Sequence, residues 1–158
     1  MILLDRENSR KVLTGKKYLR TPPIENRMVG ILTSVLRLDG FLRWNYAIWP
    51  DDPRKDIRYS AFEAGDTNFV YPGRNGQVML SLRYKNLQRG VADHELLEAL
   101  RAKKGDAAVD QVLKTVMRTD DINDFWHESG LKPSEELFSL DWADFNALKS
   151  ELLAQLEN

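Results

Sequence analysis

Apolar positions divide the chain into helical and strand-like stretches. Ile24, Met28, Ile31, Leu32, Val35 and Leu36 recur at three- and four-residue steps, the spacing that lines one face of a helix, so 24–37 is predicted to bury one side. Thr21-Pro22-Pro23 precedes that stretch, with a hydroxyl suited to capping and proline in a first turn where a missing N–H costs nothing. Asp39-Gly40 ends it. Over 41–49 the period changes to two. Phe41, Arg43, Asn45, Ala47 and Trp49 then share one face, and Leu42, Trp44, Tyr46 and Ile48 the other. A strand apolar on both faces is parallel-sheet or barrel material, and helix–turn–strand order suits an α/β unit. Arg43 and Asn45 are the polar exceptions on their face.

A second short strand is predicted over 67–71, ended by the turn residues Pro72-Gly73-Arg74-Asn75-Gly76. Ser81 is placed to cap a helix over 81–100, whose apolar face is Leu82, Leu87, Val91, Leu96, Leu97 and Leu100, with Gly90 a local cost in its middle. Lys103-Lys104-Gly105 closes it. Beyond lies a helical tail: Asp106 capping 107–118 with Val109, Val112, Leu113 and Val116 inward, a short turn over 122–127, and a link at 130–133. A last helix over 141–156 turns Trp142, Phe145, Leu148, Leu152 and Leu156 inward. The first twenty residues alternate weakly, and Lys16-Lys17-Tyr18-Leu19-Arg20 suits a short strand as well as a solvated basic stretch. No internal repeat is present.

Composition narrows the class. At 158 residues, 42% of them apolar and 30% charged, the chain has the size and balance of one globular domain spanning 1–158. A net charge of −1 gives no general attraction to phosphate backbones or anionic lipid, which disfavours nucleic acid as a partner. There is no cysteine, so disulfides, thiolate metal sites and a cysteine nucleophile are excluded. The start, Met1-Ile2-Leu3-Leu4-Asp5, is too short in apolar residues for a signal peptide, and no later run approaches a membrane span; the expected location is the cytoplasm.

Reactive constellations are sparse. His94 and His127 each lack a second histidine at helical ligand spacing, so no metal site is expected. Neither a glycine-rich phosphate loop nor a serine elbow occurs, and no cofactor is expected. Adjacent acids stand at Asp51-Asp52, Asp120-Asp121 and Glu135-Glu136.

Three blocks carry a family resemblance. Gly40, Phe41, Leu42, Arg43 and Trp44 open a strand-like run to Trp49; Gly65-Asp66 leads to Tyr71-Pro72-Gly73; Ser81 and Arg83 open a helix holding Gly90, Val91 and Asp93. In this order and spacing they resemble the C-terminal part of the catalytic domain of glycoside hydrolase family 123 and its relatives, over roughly residues 15–100. The resemblance implies the last part of a (β/α)8 TIM-type barrel, with strands seven and eight near 41–49 and 67–71 and its last helix near 82–100, followed by the helical tail 106–158. A complete barrel needs on the order of 250 residues. Known members resemble β-N-acetylgalactosaminidases, in which the substrate's acetamido oxygen attacks the anomeric carbon beside an Asp-Glu pair. That pair lies upstream of the matched blocks, and none of the acid pairs here falls at its motif, so no catalytic residue is assigned and the chain is expected to be inactive alone.

The substrate-binding candidates are Trp49, Asn45, Arg43, Asp66 and Tyr71. Trp49 is expected at the C-terminal end of its strand, where barrel enzymes build their sites, and an indole face suits the apolar side of a sugar ring; the plainer reading is a core tryptophan. Arg43 and Asn45 share its face and could reach sugar hydroxyls, with a buried ion pair the plainer role of Arg43. Asp66 and Tyr71 flank the second strand, where turn formation is the plainer role of Asp66. Arg83 and Asp93 read as structural ion pairs with neighbouring loops. The expected partner is therefore an N-acetylhexosamine-containing glycan. The alternative is a non-catalytic module that pairs with a second copy or a complementing barrel half, because strands cut from a barrel expose unpaired edges. The two apolar faces of 41–49 favour self-association.

Overall fold

The structure, a computed structural model, describes residues 2–4, 22–42, 45–59, 68–127 and 130–158. In chain order the elements are β1 (Ile2–Leu4), α1 (Glu25–Val35), β2 (Gly40–Leu42), β3 (Val70–Pro72), β4 (Val78–Leu80), α2 (Leu82–Lys104) and α3 (Asp106–Leu113). A 3-10 turn (Ile122–Phe125), β5 (Trp126–His127), β6 (Gly130–Leu131), α4 (Ser134–Leu137) and α5 (Trp142–Glu157) follow. It is a mixed helix and strand protein with few strands. Among the described residues no helix is long and apolar enough to cross a membrane.

The helical layer sets the architecture. Pro23 meets Asn86, Arg27 meets Asp93, and Ser34 meets Glu98 and Arg101, so α1 and α2 lie side by side and run in the same direction. Their backbones touch at Gly30 and Gly90. A Cβ on Gly30 would stand 1.9 Å from the Gly90 carbonyl oxygen, and one on Gly90 would stand 2.1 Å from that of Arg27. Gly90 is therefore the condition for the helix contact, and its intrinsic cost to helix formation is offset by packing.

Next to this contact the Arg27 guanidinium grips the Asp93 carboxylate through two bonds, Nε to Oδ2 at 2.6 Å and Nη2 to Oδ1 at 3.0 Å. It also donates to the Phe145 carbonyl at 3.3 Å and lies 5.2 Å from the centre of the Phe145 ring. Both partners are buried, Arg27 at 3% and Asp93 at 1% exposure. The pair thus joins α1, α2 and α5. Around it Met28 and Ile31, Leu97 and Leu100, Val109 and Val112, and Phe145, Leu148 and Leu152 fill one apolar cluster with Phe125, Leu137 and Phe138.

Further along, Ser34 Oγ donates to Glu98 at 2.5 Å, Arg101 bonds Ser34 and Glu98, and Asp106 bridges Arg37 and Arg101. Burial pushes the Glu98 carboxyl up, yet the Arg101 and Ser34 hydrogen bonds bring it below its ordinary value. Arg37, through its hydrogen bond, holds Asp106 low. At the other end of α1, Ser134 of α4 donates to Glu25 at 2.5 Å, while burial raises the Glu25 pKa.

Several expectations are corrected. Of the strand predicted over 41–49, Phe41 and Leu42 pair as part of β2, against β1; from Asn45 to Trp49 the backbone is not a strand, although Ala47 bridges Asn68, and Arg43 and Trp44 lie outside the described residues. Alternation alone does not make a strand where neighbouring backbone is not aligned to pair. The second strand lies at Val70–Pro72, and its partner is β4, in register Val70 to Leu80. All three described ladders are antiparallel, where a parallel sheet was expected. The hairpin turns at Asn75 and Gly76, both at positive φ (54° and 74°), with Gln77 N–H bonding the Arg74 carbonyl.

On α2, Leu82 and Val91 face solvent at 73% and 42% exposure, where the helical spacing had turned them inward. Trp142 is likewise 40% exposed, beneath the Arg89 guanidinium. Asp106 lies inside α3, which ends at Leu113. The Thr21 cap and the 16–20 stretch fall outside the described residues.

Two measurements check this frame. Gly90→Ala is expected to cost about 3 kcal/mol or more in urea unfolding, because backbone blocks the added methyl; a loss below about 1 kcal/mol would refute the close contact. Arg27→Met should cost about 3–5 kcal/mol by stranding a buried carboxylate, and Arg27→Met with Asp93→Leu should regain much of it. An additive double variant would show that the two residues act independently.

Candidate functional site

The candidate site is assembled from two strips of backbone braced by the start of α2. Phe69 N–H donates to the Tyr46 carbonyl at 3.0 Å, and Ala47 bridges Asn68. Ser81 caps α2 by accepting from the Tyr84 N–H at 3.1 Å, and its hydroxyl donates to the Phe69 carbonyl at 2.6 Å. Arg83, in the first turn of the helix, donates to the Asn68 carbonyl at 2.8 Å and to the Tyr71 hydroxyl at 2.9 Å. Tyr46 stacks on Phe69 and meets Tyr84 edge-on, with ring centres 6.4 and 6.0 Å apart. Partial desolvation, with Tyr84 alongside, raises the Tyr46 phenol above its ordinary pKa. Parts of the three sequence blocks thus converge.

Trp49 stands in this patch with its indole N–H donated to the Val70 carbonyl at 2.8 Å. That bond fixes the ring and consumes its one polar atom, while the side chain stays 38% exposed. An indole in this state offers a flat apolar surface and no hydrogen bond of its own. It sits in a loop, where the sequence placed it at a strand end. Asn45 is buried at 7% exposure. Tyr71 is half-buried and accepts from Arg83. Arg43 and Asp66, with Trp44, lie outside the described residues. The site therefore brings Asn45, Trp49 and Tyr71 onto adjoining strips.

The adjoining loop holds two acids in local roles. Asp52 accepts from the Arg54 N–H, and Asp56 forms a paired contact with Arg58 that draws its pKa down to about 2. Asp121 caps the 3-10 turn. No cluster of His, Cys, Asp or Glu able to hold a metal occurs among the described residues. A cavity of about 220 Å³ between Val35, Leu113 and Met117 involves none of the candidates.

Arg83 and Asp93 were expected to pair with loops. Asp93 instead pairs with Arg27 of α1, and Arg83 clamps a carbonyl and a phenol. The return strand β4 escaped the sequence reading, although Asn75-Gly76 between apolar runs is a strong hairpin signal.

The glycoside hydrolase 123 catalytic domain matches residues 12–100, more than half of the chain. The chain belongs to the glycoside hydrolase 123 family. Its match covers α1, β2, the two strips and most of α2. Among solved structures, the chain is similar to a family 123 glycoside hydrolase from Clostridium perfringens, studied for glycolipid glycan hydrolysis, with a TM-score of 0.58 and 17% identity. That similarity covers 92% of this chain and 25% of the other, so the chain spans about a quarter of that enzyme's length. At this identity the likeness concerns fold. No curated protein matches the chain. The glycoside hydrolase 123 chain thus carries a hydrolase-like domain whose motif residues hold the Trp49 patch together.

Proposed function

We propose that this chain is the last portion of a family 123-type (β/α)8 catalytic barrel, folding as one unit with its helical tail, and that it holds a ring of an N-acetylhexosamine-containing glycan against Trp49. The observation that carries this reading is the half-exposed indole pinned by its own N–H to Val70. A fixed aromatic face loses little freedom when an apolar sugar face settles on it. The barrel reading is supported by α1 and α2 lying parallel, since neighbouring helices in βαβ units share a direction. No Asp-Glu dipeptide occurs among the 158 residues, so the chain binds glycan without hydrolysing it alone.

A second reading rests on β4. Val78, Met79 and Leu80 alternate in direction yet are 61%, 47% and 42% exposed, so both faces carry exposed apolar side chains, and among the described residues β4 has β3 as its strand partner. Such an edge favours pairing with a second copy of the chain or a complementing barrel portion.

Adding N-acetylgalactosamine or its oligosaccharides should give a saturable tryptophan fluorescence change with a millimolar-range Kd. Trp49→Ala should weaken it about tenfold, roughly 1.4 kcal/mol. Silence throughout that range would refute the glycan reading. Turnover of an aryl N-acetyl-β-galactosaminide that survives further purification and is lost in Trp49→Ala would refute the non-hydrolytic part. For the β4 reading, sedimentation should show mass that falls on dilution and a monomeric Met79→Lys variant. A single 18.3 kDa species across about a hundredfold dilution would exclude self-association.

A further inference from the structure

The backbone bonds around β4 (Val78–Leu80) reveal which way each of its residues points. Gly73 N–H donates to the Gln77 carbonyl at 2.8 Å, and Ser81 N–H donates to the Phe69 carbonyl at 3.2 Å. In an antiparallel ladder the bonded pairs recur at every second residue. Tyr71 and Met79, opposed midway between those two pairs, therefore form the bonded pair of the ladder, and Pro72, which has no N–H to give, stands opposite Val78 in an unbonded one. It follows that the N–H and C=O groups of Val78 and Leu80 point away from β3. Among the described residues these groups bond no other element, and both side chains are exposed.

An outward edge of this kind is commonly guarded by a charged side chain or a proline. β4 has neither. Its own sequence complements it. Turned about a two-fold axis through Met79, a second β4 sets Val78 against Leu80 and Leu80 against Val78, so the outward N–H and C=O groups of the two copies meet in register while Met79 faces its copy. Every cross-strand neighbour is then apolar, and one step further out Gln77 meets Ser81, so no like charges are opposed. A barrel strand suits this edge less well, because barrel strands run parallel in succession whereas β4 runs antiparallel to β3. We infer that the chain pairs with a second copy of itself through β4, antiparallel and centred on Met79. This rests on the β4 reading above and narrows it to one partner and one register.

The chain has no cysteine, so a single introduced thiol reports the register. In this pairing Met79 and its copy form an unbonded antiparallel pair with Cα atoms about 4.5 Å apart, inside disulfide range. Val78 and its copy are offset by two residues and stand roughly 8 Å apart, outside that range. In dilute oxidised glutathione, Met79→Cys should therefore give a disulfide-linked dimer on a non-reducing gel about tenfold faster than Val78→Cys. Collision between exposed thiols would favour the opposite order, since Val78 is the more exposed side chain. Both positions lie at the surface, so both variants should keep the parent's melting temperature. A clear Met79→Cys preference supports the pairing even where sedimentation finds the dimer weak. Equal rates, or a faster Val78→Cys, in chains that sediment as dimers would overturn the register and leave the broader β4 reading standing. A parent that stays a single chain in concentrated solution, with no preference between the two thiols, would overturn the inference and self-association together.

Discussion

The buried Arg27–Asp93 pair is the interaction on which the rest of the structure depends. Two ionised groups this far from water are tolerated only where each is well partnered, and here the carboxylate receives two guanidinium bonds while the guanidinium also meets a carbonyl and an aromatic face. Because those partners come from α1, α2 and α5, the pair fixes how three helices sit relative to one another. It can form only because Gly30 and Gly90 let the first two backbones meet. The glycines set the distance and the ion pair sets the register.

From this frame the chain distributes its polar groups by position along α1 and α2. Near their C-terminal halves, Ser34, Glu98, Arg101, Asp106 and Arg37 form a graded network running from half-buried to exposed. At the opposite end, Ser81 and Arg83 spend their hydrogen bonds on the backbone strip at Asn68 and Phe69. The first group secures α2 to α3. The second secures the candidate site to the helix layer.

Helix positions were legible because their cause is local: a 3.6-residue period, with Ser81 at the cap of α2. The family was legible from the three blocks. Strand pairing was less so, since 41–49 carries a two-residue period yet is no strand from Asn45 to Trp49, and pairing depends on which backbone lies alongside. Leu82, Val91 and Trp142 look inward by spacing and are exposed, because burial needs a neighbour that sequence does not supply. Within the candidate site, the aromatic character of Trp49 was readable; its N–H bond to Val70 was not, being a contact between distant residues. Arg83 and Asp93 were read as structural, but their partners could not be named from spacing.

The Arg83 clamp has a mechanical meaning. By holding both the Asn68 carbonyl and the Tyr71 hydroxyl, it ties the strip beneath Trp49 to a helix that is itself anchored through Asp93. A surface so tethered is already ordered before anything touches it, and the rotational freedom that a loose loop would surrender on contact has been given up during folding. Even a shallow patch can then hold a small ring with few contacts.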